Sequence, residues 1–179
     1  ALDFLLRQHA ANGDAEARRM VEASLLKMAH GGIYDQLGGG FHRYATDDRW
    51  LVPHFEKMLY DQALLAPLYL HAFQVSGTAV YRQVCESVVD YVLRDLSSPE
   101  GGFFSAGDAD SEGQEGLFYT WTWDDLGEIC GDDRALVAAT YGAAPAGNWE
   151  GRNILHVVTG PEEGPAGLGL GIEEYRERL

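Results

Sequence analysis

GGGFHRYATDDRWLVPHFEKMLYDQ occupies Gly38 to Gln62. Three glycines lead into a crowd of polar and aromatic groups: His42, Arg43, Tyr44, Asp47, Asp48, Arg49, Trp50, His54, Glu56, Lys57, Tyr60 and Asp61. A connection that only joins two helices needs a few turn residues. This density predicts a loop that forms the rim of a cavity. Helical patterns on both sides predict a mainly α fold.

N-terminal to the loop, Leu2 to His9 reads as a short helix ended by Asn12-Gly13. Asp14 caps a longer one from about Ala15 to His30. Its apolar stripe contains Met20, Val21, Leu25 and Met28, and Gly31-Gly32 stops it. C-terminal to the loop, Pro53 is a good first-turn residue and predicts a helix from Pro53 to about Val75. Beyond Asp61 that helix is apolar almost all round, the pattern of a helix buried on most sides, with a kink at Pro67. Thr78 caps an amphipathic helix from Ala79 to about Leu96. A buried helix followed by an amphipathic one reads as an inner and outer pair.

Glycines then return. Gly101 to Thr122 alternates like a β-hairpin, with strands near Phe103–Ala106 and Leu117–Trp121. Thr122 or Asp124 caps a helix through Ile129, and Asp132 or Asp133 caps another through about Thr140. Asn153 to Val158 reads as a short strand, residues 161–171 as a loose linker, and Ile172 to Leu179 as the beginning of a helix. Helix, Gly-Gly and an aromatic polar loop occur at Gly39-Gly40-Phe41 and again at Gly101-Gly102-Phe103. That echo fits a repeated helical hairpin whose loops gather at one end.

The length of 179 residues fits a single domain, 1–179, and an apolar fraction of 46% can fill a core. A net charge of -15 argues against nucleic acid and anionic membrane surfaces as partners. No apolar run has the length of a membrane span, and no signal sequence opens the chain. Ala1 in place of an initiator Met reads as a processed chain or an excised fragment. Cys85 and Cys130 lie far apart with no C-x-x-C, which fits a reducing, cytoplasmic setting. No nucleophile elbow, phosphate loop or zinc-histidine pair occurs, so no cofactor or metal is expected.

Four constellations carry chemistry, each with a plainer reading. With the helix beginning at Pro53, His54, Lys57 or Met58, and Asp61 share one face and Glu56 and Tyr60 a neighbouring one. They line a pocket, with Asp61 as acid or base and His54 as proton shuttle. Alternatively Lys57 pairs with Asp61, Glu56 favours the helix dipole and His54 bonds a carbonyl. His42, Arg43 and Tyr44, interleaved with Phe41, suit sugar faces and hydroxyls, or else Arg43 clamps Asp35, Asp47 or Asp48. Asp108, Asp110, Glu112 and Gly113 open like a calcium loop. Tyr119 stands where that loop needs a bidentate Glu, so a tight acidic turn is the simpler reading. Asp108 and Asp110 also have the option of facing the same cavity as Asp61, the paired-carboxylate logic of glycoside chemistry. Tyr119 and Trp121, with Phe118, Trp123 and Trp149, make a sugar-stacking platform or ordinary packing.

His30 to Ala66 and Ser105 to Thr122 are the segments that carry a resemblance. HGGIYDQLGGGFHRYATDDRWLVPHFEKMLYDQALLA and SAGDADSEGQEGLFYTWT resemble signature stretches of the thioredoxin-domain-containing family typified by spermatogenesis-associated protein 20. The resemblance fades after about Gly160. It implies a six-hairpin α/α toroid, similar to six-hairpin glycosidases and N-acylglucosamine 2-epimerases. This chain would form its N-terminal part, without the family's thioredoxin-like domain and without the C-terminal half of the ring. The expectation is a sugar-binding or sugar-processing toroid acting through Asp61, Asp108, Asp110 and His54. Its rival is a non-catalytic scaffold whose polar loops are architectural. Inner helices deprived of their neighbours predict self-association or a covering partner.

Overall fold

The computed structural model describes residues 1–158 and 172–178; the 161–171 stretch read as a linker lies outside them. Four helices make the main layer: α1 (Leu2–Asn12), α2 (Ala15–His30), α3 (Leu59–Ser76) and α4 (Ala79–Asp95). α1 packs on α2 and α3, and α3 packs on α4. Their shared core includes Leu6, Val21, Leu25, Leu68, Tyr69, Ala72, Val84 and Val88. The buried Tyr69 hydroxyl donates to Leu25 O at 2.8 Å, which ties α3 to α2 without leaving a polar atom unsatisfied. The fold is mainly α. None of its described helices is long and apolar enough to cross a membrane.

Several helix ends follow local rules. Asp14 accepts from Ala17 N and starts α2. Thr122 and Asp125 form a reciprocal capping box that starts α5 (Trp123–Cys130). α6 (Arg134–Tyr141) and α7 (Ile172–Arg178) are the remaining α-helices among the described residues. Thr78 precedes α4 as expected, but its side chain makes no capping bond.

Short antiparallel ladders organise the loops. β1 (Tyr44–Ala45) pairs with β2 (Pro53–His54), and β3 (Lys57–Met58) with β4 (Ala106–Gly107). β5 (Asp110–Ser111) pairs with β6 (Gln114–Glu115), and β7 (Thr120–Trp121) with β8 (Asn153–Ile154).

Three expectations are corrected here. The helix does not begin at Pro53; it begins six residues later, at Leu59. Residues 53–58 are extended, and Pro53, Phe55 and Lys57 are buried while His54, Glu56 and Met58 are less so. That is the period of a strand, so His54, Lys57 and Asp61 do not share a helical face. α3 then runs through Pro67 without a break.

The long hairpin joining Phe103–Ala106 to Leu117–Trp121 is also absent. Each arm finds a distant partner instead: β4 pairs with β3, and β7 with β8. The strand expected over Asn153–Val158 is only Asn153–Ile154. Between β4 and β7 the acidic stretch folds onto itself as β5 and β6, and residues 117–119 form a 3-10 turn.

The two glycine-led segments do meet. Besides the β3–β4 ladder, Leu59 N donates to Ser105 O at 2.9 Å. His42 and Tyr119 pack edge to face at 4.7 Å between centroids. Gly40 makes part of this approach possible. Its φ of 78° favours glycine, and a Cβ there would lie 2.6 Å from the Tyr91 ring.

Gln62, 1% exposed, fixes the first segment to α3. Its Oε1 accepts from Phe41 N at 2.8 Å and its Nε2 donates to Phe41 O at 2.6 Å.

Candidate functional site

A cavity of about 510 Å³ opens between the end of α2, the first turns of α3 and the 42–50 loop. Met28, Ile33, Ala45, Trp50, Leu64 and Leu65 give it apolar walls. His42, Arg43, Tyr44, Asp47, Asp48 and Asp61 supply the polar groups. Cavities of this size accommodate small ligands, and a few placed polar groups among apolar walls orient them.

Asp61 stands in the first turn of α3. Its Oδ2 is enclosed and has no hydrogen-bond partner among the described residues. Burial pushes the carboxyl above the ordinary carboxylate range; the Arg43 charge pulls the other way and Glu56 adds to the rise. A desolvated acceptor left unpaired is costly.

His42 is almost fully enclosed, and its Nδ1 donates to Phe55 O at 2.9 Å. Burial, then the nearby Lys57 charge, lower its pKa to about 3. The ring is therefore neutral near pH 7, and with the proton on Nδ1, Nε2 is an acceptor.

Trp50 adopts a φ of 64°, a left-handed conformation uncommon for a bulky residue. The Asp47 carboxylate holds the turn by accepting from the backbone amides of Arg49, Leu51 and Val52. Ile33 N donates to Trp50 O at 3.2 Å and anchors the loop to the end of α2. Strain of this kind persists where the surroundings over-determine it and is frequent at ligand sites.

The other expected contacts are made differently. Arg43 Nη1 bonds Glu56 Oε2 at 3.0 Å, not Asp35, Asp47 or Asp48. Lys57 pairs with Asp35 at 2.7 Å, not with Asp61, and also donates to Gly39 O. Among the described residues His54 bonds no carbonyl; its Nδ1 donates to Glu115 Oε1 at 2.6 Å, and its ring stacks on Tyr44. Asp108 Oδ1 accepts from Asp110 N at 3.1 Å, the local turn bond of the plainer reading. Neither Asp108 nor Asp110 lines the Asp61 cavity. Tyr60 is exposed on α3, while Tyr119 and Trp121 pack beneath the loop.

Sequence reasoning missed Glu115, Gln62 and the pairing role of Asp35. A charged Lys57 inside an alternating buried strand was the signal that pointed to a hidden acidic partner. Nothing in the sequence marks Glu115 or Gln62.

Comparison with known proteins gives the relationship. No family model matches the chain. Human spermatogenesis-associated protein 20 is 39% identical over 98% of this chain, and the mouse protein of the same name is 37% identical over the same share. The chain belongs to the spermatogenesis-associated protein 20 family. An uncharacterized Caenorhabditis elegans protein is 30% identical over 99% of the chain. The alignment spans 26% of the length of the human and mouse relatives and 29% of the nematode one. Within the spermatogenesis-associated protein 20 family, this chain thus corresponds to a segment that includes both glycine-led loops.

Proposed function

We propose that the cavity floored by Asp61 binds a hydroxyl-rich, sugar-type ligand in a ring of helical hairpins related to six-hairpin glycosidases and sugar 2-epimerases. The observation that carries this reading is the enclosed, unpartnered Asp61 Oδ2 at an open cavity. A ligand hydroxyl donates the missing hydrogen bond once the carboxyl turns its enclosed oxygen toward the cavity. His42 Nε2 offers an acceptor, and Tyr44 and Trp50 offer apolar faces for C–H groups. If chemistry follows binding, Asp61 is the acid or base, because its raised pKa makes it competent for proton transfer nearer neutrality. His54 does not line this cavity and is bonded to Glu115, so it enters as a proton shuttle only if a ligand reaches it. Asp108 and Asp110 enter this scheme only if a ligand reaches the acidic hairpin.

A thermal-shift screen of mono- and disaccharides, run on this chain and on a full-length family member, tests the proposal. A saturable shift that Asp61→Asn weakens without unfolding the protein supports it. A broad panel with no shift on either protein sinks it.

A second reading, the scaffold, is favoured by a different observation: Lys57, Gln62, Arg43 and Glu56 all have intramolecular partners. On that reading the chain presents surfaces. Leu64 is 71% exposed on α3, with Tyr60 and Leu70 also exposed on it. Such a face supports self-association or covering by further helices. Sedimentation at high concentration checks it, and a strictly monomeric chain argues against it.

A further inference from the structure

A second cavity, of about 330 Å³, lies at the far side of the same loop. Asp35, Lys57, Tyr91, Arg94, Asp95 and Tyr119 provide its polar lining. Its charges are already matched. Lys57 is bound to Asp35, and Arg94 Nη2 to Asp95 and to Gly38 O. Asp35 also accepts from the backbone amides of Leu37 and Gly38.

The groups left without partners are mostly donors. Tyr91 is 4% exposed, yet its hydroxyl makes no hydrogen bond among the described residues. The bare Cα of Gly107 leaves that hydroxyl its space; a Cβ there would lie 3.3 Å from it. The Tyr119 hydroxyl is likewise without a bond among the described residues. Among the described residues Arg94 Nε and Nη1 make no hydrogen bond.

The Lys57 ammonium stands 4.4 Å from the Tyr91 ring centroid and 4.8 Å from that of Tyr119. A cation over a phenol ring draws electron density from it and strengthens the O–H donor. Burial raises the Tyr91 pKa well above its ordinary value and pushes Tyr119 up to about 12. Both hydroxyls therefore keep their protons at physiological pH.

Two phenol donors and a guanidinium fork lining one small cavity suit an acceptor-rich ligand. The Asp35 and Asp95 carboxylates close by repel a multiply charged group, so a singly charged, planar acceptor fits better than a phosphate dianion.

We propose that the Tyr91–Tyr119–Arg94 cavity is a binding site for a small carboxylate, distinct from the Asp61 cavity. The carboxylate oxygens accept from the two phenols and from the free N–H groups of Arg94. The ion-paired Lys57 sets the rings in place and does not bond the ligand.

The test is a titration of the isotopically labelled 179-residue chain with acetate, then succinate, followed through the backbone amide resonances of Gly107, Phe118 and Tyr119. Sodium phosphate and glycerol at matched ionic strength are the comparison arms. Saturable shifts with a carboxylate, weakened at least tenfold in Tyr91→Phe and in Tyr119→Phe, are expected. Both variants retain the rings that Lys57 packs on, and their thermal midpoints verify that they fold. No saturable shift, an equal response to glycerol, binding of phosphate alone, or carboxylate binding unchanged in Tyr91→Phe each overturns the assignment. The result is independent of whether any sugar binds near Asp61.

Discussion

Asp35 and Asp61 are carboxylates at the loop end of the same helical layer, and their circumstances are opposite. Asp35 is surrounded by donors: the Lys57 ammonium and the amides of Leu37 and Gly38. Asp61 has an enclosed oxygen with none among the described residues. The electrostatic consequences diverge in sign. For Asp35, burial acts to raise the pKa, but the Lys57 charge and the hydrogen bonds outweigh it and the net shift is downward. For Asp61, burial raises the pKa and Arg43 only partly offsets it. Sharing one end of the layer and a residue type therefore says little about role. What separates architecture from availability is whether the fold has already supplied the partners.

The largest test of that contrast is Lys57→Met. It leaves Asp35 buried without its counter-charge and should cost about 3–5 kcal/mol in urea denaturation. A loss below about 1 kcal/mol would mean that the pair is not a structural centre. Next is Gly40→Ala, which forces a left-handed residue against the Tyr91 ring. It should cost on the order of 2 kcal/mol, through strain and overpacking together. A neutral result would show that the ring moves aside.

Asp61→Asn should change stability by no more than about 1 kcal/mol, because no partner is lost, and replacement by Leu is expected to stabilise. A large destabilisation would assign Asp61 to the architectural class and remove the reason for placing a ligand there. Smallest is Glu115→Gln, which weakens a partly exposed link to His54. It should cost roughly 0.2–1 kcal/mol, read from the same denaturation curves.

The pH dependence sharpens the comparison further. Asp35, with a lowered folded-state pKa, contributes stability that is present above its unfolded value near 3.8 and lost as pH falls through the lower folded value. Asp61, with a raised folded-state pKa, behaves inversely. The folded state binds the extra proton, so stability declines as pH rises from 3.8 through the raised value. Stability profiles of Asp61→Asn and wild type should diverge on the neutral side of that range. The Asp35→Asn profile should depart on its acid side. Parallel profiles would contradict the assigned shifts.

The helices were legible because their signals are local. Asp14 before an amphipathic stripe, Gly13 after Asn12 and Thr122 before α5 each specify an end within one turn. Residues 53–58 were misread because Pro suits both the first turn of a helix and a strand edge, and only Lys57 facing inward separates the two. The acidic hairpin was misread because its flanking strands pair with Lys57–Met58 and Asn153–Ile154, contacts that no spacing rule encodes. At the candidate site, Asp61, His42, Arg43 and Tyr44 were recognisable as polar groups in a crowded loop. Which of them would be left without partners depended on Asp35, Glu56 and Glu115, and two of those three lie outside the 38–62 stretch.

Gln62 clasps Phe41 with donor and acceptor together, so a single amide on a helix does the work of a neighbouring strand edge. A glutamate in its place would keep the acceptor for Phe41 N and set a negative charge against Phe41 O. The exchange alters few atoms in size, yet it would let the whole rim slide or lift from the helix. The shape of the mouth thus depends on the chemical asymmetry of one uncharged side chain, and charge-based scans of the loop would pass over it.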